Sequence, residues 1–65
     1  MDSTTITAAM VRAACMEVAE LPSVERYNRV GAILRRVRTF APSFAVAVSG
    51  FQSFGPDAVT FRRLA

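Results

Sequence analysis

Phe44-Ala45-Val46-Ala47-Val48-Ser49-Gly50-Phe51, then Gln52-Ser53-Phe54-Gly55-Pro56-Asp57-Ala58-Val59-Thr60-Phe61-Arg62-Arg63-Leu64, is the stretch on which the fold class turns. In its first part Phe44, Val46 and Val48 stand at alternate positions, which is the period of a strand. Gly50 and Phe51 continue the run, with room for a bulge at the glycine. Phe54-Gly55-Pro56-Asp57 holds the strongest turn signal in the chain. Beyond it Val59, Phe61 and Arg63 share one face, while Ala58, Thr60 and Arg62 share the other. This pattern predicts two strands, about 44–51 and about 58–64, joined as a β-hairpin. A second reading makes 57–64 a short helix begun by Pro56 or Asp57, and the protein then becomes small and all-α.

Upstream, the periodicity changes to that of helices. Thr7, Met10, Val11, Ala14, Val18 and Leu21 recur at three- and four-residue spacing, the apolar face of a helix over about 5–21. Cys15 flanks that face, and Ser3, Thr4 or Thr5 supplies a capping oxygen. Leu21-Pro22-Ser23 stops the helix, because the residue before a proline is pushed out of the helical region. A second helix is expected over about 23–38, with Ser23 as its cap and Glu25 in its first turn. Val24, Tyr27, Val30, Gly31, Leu34, Val37 and Ala41 make its apolar face, and Gly31 there implies a close approach, placed at Ala14 of the first helix. The short link makes the two helices an antiparallel hairpin. The expected architecture over residues 1–65 is a single α+β domain in the order ααββ, a helical hairpin followed by a β-hairpin.

Composition limits what such a domain does. The chain has 65 residues, with eight Arg, no Lys, five acids, no His and one Cys. An internal disulfide needs a second Cys, and an ordinary zinc site needs more Cys or His than this. A core this small leaves a thin stability margin, so the 52% apolar content predicts a homodimer. Its expected form joins the two hairpins into one four-stranded sheet. No apolar run approaches a membrane span, and Met1-Asp2-Ser3-Thr4-Thr5 lacks the basic start and apolar core of a secretory signal. A reducing, cytoplasmic setting suits the lone Cys15. Neither a cofactor, a metal nor a small-molecule substrate is expected. Without His or Lys the usual bases and amine nucleophiles are missing, and Gly31, Gly50 and Gly55 make no phosphate-binding loop, so the expected protein is not an enzyme.

Charge is the patterned feature. Residues 1–33 carry three Arg and four acids, net −1; residues 34–65 carry five Arg and one acid, net +4. On a helical projection Arg26, Arg29 and Arg36 fall within about 80° of one another, with Ile33 between them and Arg35 and Arg38 at the flanks. Such a face is expected to lie along a phosphate backbone, as in a small basic regulatory protein. The alternative is docking on an acidic protein surface with Ile33 as the buried centre, as in a small phage- or plasmid-type inhibitor or an assembly accessory. Arg62 and Arg63 form a second cationic spot, and Phe54 beside Gly55 is the aromatic expected to stand in solvent.

Overall fold

The computed structural model describes residues 5–64, and every regular segment among them is helical. Helix α1 spans Ala8–Met16 and α2 spans Ser23–Phe40. A 3₁₀ turn at Pro42–Phe44 leads into α3, Ala45–Phe54, and a second at Gly55–Asp57 leads into the one-turn α4, Val59–Arg62. No strand occurs among the described residues, so the ααββ expectation is overturned and the fold is small and all-α.

The physical reason lies in which apolar residues are buried. Phe44 and Val48 are four apart, a spacing shared by two strand periods and one helical turn. Phe51 breaks the alternation and completes the helical series 44, 48, 51. Ala47, Val48 and Phe51 are buried, while Val46, which a strand would place beside Val48, is 67% exposed. Pro42 at the start and Gly55 just past the end are helix punctuation. The second expected strand fails in the same way, since Val59 is exposed while Phe61 is buried. The short-helix reading of 57–64 is the one that agrees, with α4 confined to Val59–Arg62. With no strand to join, the expected four-stranded dimer sheet falls as well.

Helix α1 is shorter than its periodicity predicts. It ends at Met16, and residues 17–20 run on as turns. Thr7 accepts from the Met10 N–H as the cap, in place of Thr5; Ser3 and Thr4 lie outside the described residues. Cys15, expected beside the apolar face, is at its centre with no exposed surface, whereas Met10 is exposed. Helix α2 starts at Ser23 and runs two residues further than expected, to Phe40; Pro22 stands at its N-cap with no side-chain cap hydrogen bond, so Ser23, expected as the cap, is instead the first helical residue. Val30, Leu34 and Val37 form its buried stripe, but Val24 and Tyr27, assigned to that stripe, stand in solvent.

The main neighbour of α2 is α3 rather than α1, and α3 in turn carries α4. The Gln52 amide donates to the Tyr27 carbonyl at 3.2 Å, tying α3 to α2. Phe51 and Phe61 meet with ring centroids 4.6 Å apart, joining α3 to α4. Arg12 of α1 lies over the other side of this pair, 5.2 Å from the Phe61 centroid, and donates to the Leu64 carbonyl at 3.4 Å. The glycines divide by role. A Cβ on Gly50 would collide with the Thr60 side chain, so the missing methyl lets α4 close on α3. Gly31 faces the Gln52 amide and not Ala14, so the expected crossing with α1 at this point is incorrect.

Gly55 has φ 77° and ψ −160°, a region that only glycine occupies without strain. Gly55→Ala is therefore expected to cost about 1–3 kcal/mol in urea unfolding followed by circular dichroism. Gly31→Ala, by contrast, meets only the Gln52 amide, at a contact distance of 3.4 Å, and should stabilise by up to about 1 kcal/mol. A Gly55→Ala protein as stable as wild type would refute this account of the turn.

Candidate nucleic-acid interface

The residues of α2 fall into an inner and an outer set. With Val30 at the centre of the buried side, Asn28, Ala32 and Thr39 project about 160–180° away. Arg29 and Arg36 lie about 100–120° round on one shoulder, and Arg38 and Arg35 about 80–140° round on the other. All seven of these side chains are exposed. Ala32, the smallest of them, is thus flanked at three- and four-residue spacing by Asn28, Arg29, Arg35 and Arg36. Glu25 is the only acid on α2 and sits in its first turn, so the helix is cationic from Arg29 onward. From Arg29 to Arg38 the face is about 14 Å long.

Two side chains expected in this face are placed elsewhere. Ile33 is partly buried against the core and lines a groove with Met10 and Ala14 of α1, so it is not the greasy centre of an arginine stripe. Arg26 is half-buried, with its guanidinium against Gly55: a Cβ there would lie 3.5 Å from an Arg26 Nη. It stands at the C-terminal end of α3, where a positive charge is favoured by the helix dipole. Its Nε is buried without a hydrogen-bond partner. Arg26 is a packing residue of the α2–α3 junction. The helical angle already separates it from Arg29, since Arg26 lies about 40° from Val30 and Arg29 about 100°.

Phe54, Arg62 and Arg63 are exposed, on α3 and at the end of α4. Phe54 is the last residue of α3 and shares a groove with Val46 and Val59. Phe40 is exposed at the end of α2. The chain matches no protein-family model, no curated protein and no solved structure.

Other chemistry is sparse. Glu17, Glu20, Glu25 and Asp57 are all exposed, and no three metal-type side chains cluster among the described residues. No helix among the described residues is long and apolar enough to cross a membrane. Cys15 is enclosed, and desolvation pushes its thiol up to about 11. A raised value keeps the nucleophilic thiolate scarce at neutral pH.

That shift has a pH signature. The unfolded chain ionises its thiol at about 9, before the folded one does, so stability present at neutral pH is lost as pH rises from about 9 toward 11. Relative to Cys15→Ala, wild type should lose up to about 1.4 kcal/mol per pH unit across that window. Parallel profiles for the two proteins would show that the thiol is not enclosed.

Proposed function

We propose that this is a small non-enzymatic protein that contacts nucleic acid through the solvent side of α2. The observation that carries the reading is Ala32 flanked by Asn28, Arg29, Arg35 and Arg36. A small side chain at the centre lets the helix axis come close to a groove or backbone, while longer cationic side chains reach outward to phosphates. Guanidinium forks bind phosphate oxygens bidentately, and all the cations on this face are arginines. A helix of this diameter enters a groove about 12 Å wide, and a face about 14 Å long spans several phosphates. Asn28 adds a donor and an acceptor beside them, the pair of groups that reads an adenine edge.

Docking on an acidic protein surface is the weaker reading for this face, because Ile33, its apolar anchor, is drawn toward α1. Few of the groups that enzymes use as bases or nucleophiles are present, and the one thiol is enclosed. A cytoplasmic setting suits a protein that must meet nucleic acid with its thiol reduced.

The test is a salt titration of binding to random-sequence DNA and RNA duplexes. Wild type should show log affinity falling linearly with log salt concentration. Replacing Arg35 and Arg36 together by Gln should flatten that slope by about 0.7–0.9 for each phosphate that the variant no longer neutralises. Ala32→Glu should weaken binding more than either single arginine change, by placing an acid at the centre of the face. A wild-type protein that binds neither duplex at low salt would overturn the proposal, and binding unaffected by these substitutions would move the site off α2.

A further inference from the structure

We infer that the seam between α3 and α4 is the surface through which two copies of this chain associate. Val46, Phe54 and Val59 line one open groove there, together with Gly50 and Thr60, and are 67%, 75% and 65% exposed. They are three of eight large apolar side chains left in solvent among the described residues. Among the same residues the buried core holds ten apolar side chains, of which Cys15, Ala47 and Ala58 are small. A chain of this length without a disulfide gains most from covering such a surface.

Three features of the seam point to a second copy as the occupant. The first is shape. Val46, Gly50 and Phe54 follow one another at four-residue spacing along α3, so a protruding ring stands one turn from the low stretch of the groove where Thr60 closes over Gly50. A two-fold axis that lays each Phe54 in the other copy's groove, over Thr60 and between Val46 and Val59, fills both grooves with both rings, the self-complementarity of an isologous interface.

The second is charge. Asp57 lines the groove, and Arg62 and Arg63 follow Val59 by three and four residues at the end of α4, so the rim carries both signs. Two facing copies can set Asp57 against Arg62 or Arg63 twice. A uniformly acidic or uniformly basic partner would be repelled by part of the rim.

The third is area. A standard interface takes about 800 Å² from each partner. That is less than a fifth of the 4527 Å² surface of this chain, and the seam offers an apolar centre with a polar rim. The solvent side of α2 belongs to a different helix, so the inference stands whether or not that face binds nucleic acid.

Sedimentation velocity from low micromolar to hundreds of micromolar concentration tests the inference. Wild type should sediment at twice 7.1 kDa at the upper end. Phe54→Glu and Val46→Glu should each raise the dimer dissociation constant at least a hundredfold while far-UV circular dichroism stays unchanged. Asp57→Arg should weaken association, and combining it with Arg62→Asp and Arg63→Asp should recover it. Should a variant lose its helical signal, amide shifts of wild type on dilution replace it: residues 46, 54 and 59 should move and residues 28, 32 and 39 should not. A 7.1 kDa species at every concentration overturns the inference, even if a foreign protein is found on the seam. So does a dimer indifferent to Phe54→Glu and Val46→Glu, or dilution shifts that fall elsewhere.

Discussion

Phe61 is the side chain on which the fold closes. Its ring meets Phe51 on one side and the Arg12 guanidinium on another, so residues from α1, α3 and α4 converge on a single buried aromatic. Helix α4 has four residues, far below the length at which an isolated helix holds together in water. It persists because Phe61 is anchored and because Gly50 leaves space for Thr60. Remove the ring and α4 has no reason to lie on α3, and the groove with Val46, Phe54 and Val59 loses one wall. The same packing steadies α3, whose link to α2 through Gln52 and Arg26 sets which sides of α2 are covered.

This dependence separates the two surfaces of interest. The solvent side of α2 is defined by exclusion: α3 covers one flank through Gln52, α1 approaches the Ile33 flank, and what remains outward is Ala32 with its polar and cationic neighbours. The α3–α4 seam is defined by deficit, since the core ran out of volume before the large apolar residues ran out. A cationic face needs no enclosed pocket to act on a polyanion, because its affinity comes from displaced counterions rather than from desolvated contacts. An apolar seam is the reverse, and gains only when water leaves it.

Much of the helical half was legible in the sequence. Ser23 and Pro22 mark the start of α2, and the spacing of Val30, Leu34 and Val37 gives its inward stripe, because an 18-residue helix offers enough turns for the period to declare itself. The segment after Pro42 was not, for a definite reason. Phe44 and Val48 satisfy both periods, Val46 imitates a strand neighbour, and only Phe51 votes for a helix. Val59 and Phe61 imitate alternation in the same manner over a segment too short to contradict it. At the arginine face, residue types were legible and geometry was half legible. Helical angle places Arg29 and Arg36 on the outer shoulder, and measured from Val30 it puts Arg26 and Ile33 only about 40–60° away, on the inner side; it cannot report the neighbours that cover those two, Gly55 and α1. Those depend on how consecutive helices cross, which no local pattern encodes.

The packing of α2 on α3 and of α3 on α4 also has a kinetic side. The contacts of α2 with α3, and of α3 with α4, join segments adjacent along the chain, and the two rings of the core are ten residues apart. Closing a loop of that length takes on the order of 10–100 ns, and helical folds dominated by such local contacts reach the native state in microseconds to milliseconds. The transient species that would expose Val46 and Phe54 alongside Phe51 and Phe61 is correspondingly brief. Copies would therefore meet as folded units, and the encounter of two chains, not the folding of either, would set the pace of assembly at cellular concentrations.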